Sequence, residues 1–378
     1  MAIESVEAIP ISHPLPEGGR MGNARGTPDA RSATLVRIKT TDGLVGWGEA
    51  FASPETTSTL IEERFTHLLE GRNPYTVESL AEEFYTNGYH FGGSAYVQSA
   101  LSGIDMALWD IKGKQAGEPI HHLLGGRSTD SVIPYASTGY FMDSTDDIEA
   151  QLRGAKEDGF SAVKIKIGCG VENDVSRVEA VRATFGDDAH VMVDFNGNYQ
   201  PKRAIRAVEQ LQEYDLTWVE EPVPPENYSG YRELSTRLSV PIAAGEAHFT
   251  RFEFKQLIDD RLVDIVQPNV GHCGGFSEAR RIADLATTEN VRTIPHVWSS
   301  GIGVAAAVQF LASVPDYPHS TNRPEPRFLE FDRSTNPLRH EILDDPFDPT
   351  HGEVQVPQSP GLGVSVDEDA VEKYRLSE

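Results

Sequence analysis

The feature that most constrains this chain is a spacing. From about residue 130, short β-like runs recur with charged, amphipathic stretches between them. The runs are VIPYAS (132–137), AVKIKIG (162–168), HVMVDFN (190–196), LTWVEEP (216–222), VPIAAGE (240–246), VDIVQPN (263–269) and VRTIPHV (291–297). A strand and a helix repeating roughly every 25–30 residues mark parallel βα units, each helix returning the chain for the next parallel strand. An eighth run near 319–330 would close the set, so the expected fold class is α/β, a modified (β/α) barrel of the TIM type. A doubly wound parallel sheet is the competing architecture. No glycine-rich phosphate fingerprint follows the first run, which argues against it.

Each run ends in a polar side chain. In order they are Lys164 and Lys166, Asp194, Glu220 with Glu221, Glu246, Asn269 and His296. The intervals from Lys166 onward are 28, 26, 26, 23 and 27 residues. In a barrel those ends converge on one face, where active sites sit. Singly, an Asp or Glu at such a place is an ordinary helix cap. Three carboxylates in register on consecutive repeats repel one another or take up protons, and a divalent cation resolves the conflict. All-oxygen ligation suits Mg²⁺, with Mn²⁺ as the alternative ion; zinc is disfavoured because no His or Cys joins the trio.

The lysines need their own account, because only nine of the 33 basic residues are Lys. Positions 164 and 166 differ by two, so both side chains leave the same face of the strand. Val163, Ile165 and Ile167 take the other face, toward the helices. Two partly desolvated ammonium groups disfavour each other's charge, so a lowered pKa and a base near neutral pH are expected. His296 arrives from the opposite side. A base, a metal and a second acid/base group suit removal of a proton next to a carboxylate, through an ene-diolate.

Before residue 130 the pattern differs. SATLVRIKTTDGLVGWGEA (32–50) reads as two strands around a TDG turn, and SAYVQSALSGIDMALWDIKGKQAG (94–117) as a helix. The expected division is an α+β domain over 1–125, the barrel over 126–345, and a C-terminal segment over 346–378 that returns to the first domain. The net charge of −25 excludes nucleic acid and anionic membranes as partners. An acid-rich, lysine-poor surface suits a high-salt cytosol, so a halophilic source is expected. Two cysteines, no signal-peptide pattern and no run of about 18 apolar residues predict a cytoplasmic protein. Its expected partners are a small anionic substrate and further copies of itself, as a homo-oligomer.

The motifs GWGEA, SGIDMALWDIKGK, KIKIG, VDFNGN, WVEEP, AAGE and PGLGVSVD together resemble the enolase superfamily, mandelate racemase/muconate lactonizing enzyme subgroup. The resemblance covers nearly the whole chain and makes the N-terminal domain a capping domain. It implies Asp194, Glu220 and Glu246 as metal ligands, Lys166 as acid/base with Lys164 beside it, and His296 as the opposite acid/base. It also implies a substrate contact from Asn196, and His248 is expected as a further candidate contact. Glu330 is implied as the acidic residue that hydrogen-bonds the ene-diolate, with Glu325 as runner-up. CGGFSEARRIADLAT, IPHVW and EFDRSTNPLRHEIL look closer to the galactarolactone cycloisomerase branch, which opens an aldarolactone by β-elimination. A sugar-acid dehydratase is the near alternative and a racemase or epimerase the further one.

One position departs from the family pattern. The usual partner of the histidine is Asp; here it is Asn269. Asn orients imidazole but cannot stabilise imidazolium by charge, so a lower His296 pKa and a one-base reaction driven by Lys166 are expected. Asp264 lies five residues earlier, about 16 Å away by strand rise, and cannot stand in. Specificity is expected from the Gly- and Arg-rich loop PEGGRMGNARGTPDARS (16–32), with Arg20, Arg25, His90, Tyr140, His248 and Trp298 as candidates. A Schiff-base aldolase would not need three carboxylates in register, and a His-rich metal hydrolase would need an H-x-H on the first strand.

Overall fold

The computed structural model describes residues 1–87, 95–126, 129–142, 147–315 and 325–376. Strands Ile3–Pro14, Ala30–Thr40 and Val45–Ala50 form an antiparallel sheet in that spatial order. Helix Ala95–Ala116 packs on it and stops at Gly117, whose φ of 72° suits a helix C-terminus. Sheet and helix approach very closely. A Cβ on Gly48 would sit 2.0 Å from the Gly103 carbonyl oxygen, and one on Gly46 would sit 2.2 Å from that of Ala107. The GWGEA stretch therefore alternates, with bare glycines toward the helix and Trp47 and Glu49 on the other face.

Eight parallel strands build the barrel: Ser131–Thr138, Ala162–Lys166, His190–Asp194, Trp218–Glu220, Ile242–Ala244, Ile265–Val266, Arg292–Thr293 and Phe328–Asp332. Numbered one to eight, they run in the order 7-6-5-4-3-2-1-8. Strands seven and eight share no ladder among the described residues. Their seam is bridged by the Val297 N–H donating to Glu330 Oε2 at 2.9 Å and by Arg292 donating to the Pro326 carbonyl at 2.9 Å.

The barrel interior is layered by the period of two. Tyr135, Ala162, Met192, Trp218, Ala243, Ile265, Ile294 and Phe328 form one buried apolar cluster, one residue from or beside each strand. Two residues further along each stave the chemistry changes: Ser137, Lys164, Asp194, Glu220, Gly245, Gln267, His296 and Glu330. The apolar plug seals the barrel below and the polar layer stands on it. Val163, Ile165 and Ile167 belong to the separate core against the helices, as the alternation predicts.

Buried carboxylates tie the N-terminal domain to the rest. Glu49 accepts from the Ser300 and Gly303 N–H groups at 3.2 and 3.0 Å, at the start of helix Gly301–Ser313. Asp105 accepts from the Ser277 N–H at 3.1 Å, at the start of helix Gly275–Thr288. Asp110 accepts from the Trp47 and Leu362 N–H groups. Carboxylates at helix N-termini meet both unpaired donors and the positive end of the dipole. The C-terminal segment divides its loyalty. Val354–Gln355 pairs with barrel strand one, whereas helix Glu368–Tyr374 packs on Ile3–Pro14 and the Leu376 N–H bonds the Pro10 carbonyl at 2.9 Å. Among the described residues, no helix is long and apolar enough to cross a membrane.

Candidate active site

The polar ends of strands two to eight meet at the barrel mouth. Asp194, Glu220 and Glu246 each offer an oxygen within 4.8 Å of the others. At that separation each pair of charges repels by about 3 kcal/mol at an effective dielectric near 20. Glu221, buried with a φ of 39°, and Glu330 bring the carboxylates to five, against two lysines. Burial among these charges pushes Glu220 up to about 7 even with Lys164 beside it, and raises Glu221 well above the carboxylate range. Glu246 Oε2 is buried without a hydrogen bond. Three converging oxygens, excess negative charge and an unsatisfied acceptor fit a hard divalent cation.

The lysines occupy the strand face expected of them, but their charge state differs from the expectation. Lys164 is fully buried, with its ammonium on Glu220 Oε1 and 2.9 Å from Glu330 Oε1. Lys166 Nζ donates to Asp194 Oδ2 at 2.6 Å. Burial pulls both pKa values down, but the carboxylates outweigh it: Glu220 and Glu330 raise Lys164, and Asp194 raises Lys166. The pair is thus held charged, not lowered, because each ammonium is ion-paired to a buried carboxylate. Glu330 follows the same balance. Burial would raise it, but Lys164, His296 and Lys166 hold it down at about 2. Both its oxygens are engaged, by Lys164 and by the Val297 N–H.

On the other side, His296 Nδ1 lies 2.9 Å from Asn269 Nδ2, and Nε2 lies 3.4 Å from Glu246 Oε2. Phe51 of the N-terminal domain packs edge-on against the ring at 5.8 Å. Asn196, at a left-handed φ of 44°, donates toward Glu246 Oε1 at 3.5 Å, while its N–H bonds Asp194 Oδ1 at 2.8 Å. That turn keeps Asp194 and Asn196 on one side of the mouth. Glu325 pairs with Arg292 at the opposite end of the barrel, and Asp264 accepts from the Ile242 N–H there, so neither reaches His296.

Residues 147–370 match the enolase C-terminal domain-like family, and residues 10–125 match the mandelate racemase/muconate lactonizing enzyme N-terminal domain. The chain belongs to the mandelate racemase/muconate lactonizing enzyme family. It is 39% identical over 351 residues, 92% of each chain, to the D-galactarolactone cycloisomerase of Agrobacterium fabrum. It is 32% identical over 347 residues, 90% of each chain, to the arabinonate dehydratase of Saccharolobus solfataricus. Among solved structures, the 3,6-anhydro-D-galactonate cycloisomerase from Zobellia galactanivorans superposes with a TM-score of 0.89 at 35% identity, covering both chains completely. A racemase from Streptomyces coelicolor with bound magnesium superposes with a TM-score of 0.86 at 27% identity, over 99% of this chain and 100% of that one. The protein is an enzyme of this family's isomerase and lyase kind.

Several residues at the family site carried no signal in a search for strand-end charges. Gln267 donates to Glu220 Oε2 at 2.7 Å, and Trp218 Nε1 donates to the same oxygen at 3.1 Å. Counting back by two from Asn269 and Glu220 would have found both. Asp332, two past Glu330, accepts from Tyr140 Oη and from Arg31 at 2.7 Å each; Arg31 stacks on Trp298 at 3.6 Å. This network ties the N-terminal sheet to strands one, seven and eight at the mouth. Of the loop candidates, Arg25 donates to the Asn196 carbonyl at 3.4 Å and Arg20 to the Leu15 carbonyl at 3.5 Å. The loop itself is pinned by Met21–Gly22 pairing with Phe141–Met142. His248 is packed between Tyr228 and Phe254, and burial lowers its pKa to about 4. His90 lies outside the described residues.

Proposed function

We propose that this enzyme removes the proton α to the carboxylate of an acid sugar lactone and then expels the β oxygen, as an aldarolactone cycloisomerase. The observation that carries the reading is the opposition of Lys166 and His296 across the Asp194–Glu220–Glu246 cluster. The 39% identical cycloisomerase supports the choice of substrate class. Mg²⁺ is the proposed cofactor, with Mn²⁺ able to replace it, held by the three clustered carboxylates. When bound, it would neutralise the substrate carboxylate and take up the Asp194 charge that otherwise keeps Lys166 an ammonium.

Lys166 Nζ then accepts the α proton, and the C–H electron pair passes to the carboxylate as an ene-diolate. The ene-diolate pair then forms the Cα=Cβ bond as the β C–O bond breaks, and that bond's pair leaves on oxygen, which takes a proton from the Lys166 ammonium or from water. Lys164, fixed between Glu220 and Glu330, keeps positive charge beneath the reacting carboxylate. Asn196, Glu330 and His248 are proposed substrate contacts or supports. Acid-sugar dehydration is the second reading, favoured by the arabinonate dehydratase relative. A panel of aldarolactones against aldonic and aldaric acids, with Mg²⁺, separates the two; turnover of only the open-chain acids would overturn the first. We also propose a cytoplasmic location, supported by the two free cysteines, and a homo-oligomer, which sedimentation velocity on the native protein tests.

A further inference from the structure

We infer that a cleft beside His296 is a subsite for sugar hydroxyls, in which Trp298 Nε1 donates to, and Asn336 Oδ1 accepts from, the end of the substrate remote from its carboxylate. The cleft holds about 230 Å³. The N-terminal domain lines one side of it with Arg31, Phe51 and Ala52. The loops after strands seven and eight line the other with Trp298, Ser299 and Asn336. Phe51 sets its place relative to the chemistry. The ring that lines the cleft also packs edge-on against His296 at 5.8 Å, and His296 stands 3.4 Å from Glu246.

Two lining residues each carry a buried polar atom with no hydrogen-bond partner. Asn336 stands just before the short helix Pro337–His340, where an Asn side chain ordinarily accepts from the first turn; it makes no such bond here. Its Nδ2 donates to the Ser299 carbonyl at 3.1 Å, which fixes the amide and leaves Oδ1 bare in a residue only 6% exposed. Trp298 is held by Arg31, whose guanidinium lies 3.6 Å over the indole, and its Nε1 has no acceptor. Buried donors and acceptors left unmade are costly, so both atoms call for a ligand.

The charge in the lining is already committed. Arg31 is engaged by Asp332, by Ser334 and by the Thr335 carbonyl. What the cleft still offers is one N–H, one carbonyl oxygen and the apolar surface of Phe51 and Ala52. A hydroxyl both donates and accepts, so a hydroxylated carbon chain answers both atoms. This subsite rests on the function proposed above and deepens it. Trp298 and Asn336 select which acid sugar fits, and take no part in moving the proton.

The test begins with binding, in Mg²⁺-loaded Lys166→Ala so that turnover does not intervene. The chain has four Trp, so ¹⁵N-tryptophan labelling gives four indole N–H signals, and Trp298→Phe identifies one of them by its loss. The probe is D-galactarolactone or arabinonate, whichever the wild type turns over. It should shift the Trp298 signal saturably. Glycolate, which has a carboxylate and its α hydroxyl but nothing beyond, should leave that signal in place. A Trp298 signal unmoved by a sugar whose binding calorimetry records, or moved equally by glycolate, overturns the subsite and leaves the cleft to water. Kinetics supply the second readout. Trp298→Phe keeps a ring against Arg31 and removes the N–H. Its KM should rise about 2–10-fold with kcat nearly unchanged, as for binding shared by ground and transition states. Asn336→Ala should do the same, and both should keep the wild-type Mg²⁺ Kd, which a general loosening of the mouth would not allow. An unchanged KM in Trp298→Phe overturns the inference. Turnover of no acid sugar by the wild type removes the proposed function and the subsite with it, whereas turnover with a still Trp298 signal removes the subsite alone.

Discussion

At the level of single residues, the site is a contest between burial and charge. Asp194 favours the ammonium form of Lys166, so the base role proposed for it depends on relieving that contact. Lys166→Ala should remove α-proton exchange in D₂O, since a positioned base contributes roughly 10²–10⁴-fold. His296→Asn should retain part of it. Exchange at the wild-type rate in Lys166→Ala would sink the assignment of the base. Gln267 acts one step back, by orienting Glu220 Oε2. Partners of ligating carboxylates typically matter by about 10–100-fold in metal affinity, so Gln267→Leu should weaken Mg²⁺ by that order. Isothermal titration checks it, and an unchanged Kd would assign Gln267 to packing alone.

Whole elements are positioned by buried carboxylates that span the two halves. Glu49 and Asp105 of the N-terminal domain receive the first N–H groups of the helices that follow strands seven and six. These helices begin just beyond His296 and Asn269, so the same contacts fix the backbone behind both residues. Burial pushes Asp105 up to about 7 from an ordinary 3.8. The folded state therefore favours the protonated acid. Stability from this group is complete below pH 3.8 and is lost as pH rises through about 7. Between pH 5 and 8 the wild type should lose more stability than Asp105→Asn, a difference on the order of a few kcal/mol. Urea denaturation at several pH values measures it; parallel pH slopes would show that Asp105 does not titrate in that range.

For the molecule as a whole, the dominant fact is a net charge of −25. Most of it lies at or near the surface, and self-repulsion opposes the compact state. Raising salt from 0.1 M to 1 M shortens the screening length from about 10 Å to about 3 Å. The denaturation midpoint should rise with KCl over that range and level off beyond it. A midpoint insensitive to salt, with full activity in dilute buffer, would remove the case for a halophilic source. The same surface carries ion pairs such as Arg37–Glu7 and Lys39–Glu4, both substantially exposed, which add little by comparison.

By itself, the sequence determined the barrel and the register that brings Asp194, Glu220 and Glu246 together. A period of two in AVKIK fixes which face the lysines share, and a repeat near 26 residues fixes which strand ends converge. Both are local or periodic properties, legible without coordinates. It did not reveal the charge of those lysines, because that depends on anions 28 and 56 residues away. Nor did it show Gln267, whose role is visible only when strand six lies beside strands four and five. The carboxylates that clamp Ser277 and Ser300 are 172 and 251 residues from their partners. Spacing sets which side chains meet; burial and the neighbours supplied by distant strands decide which of them carries the proton.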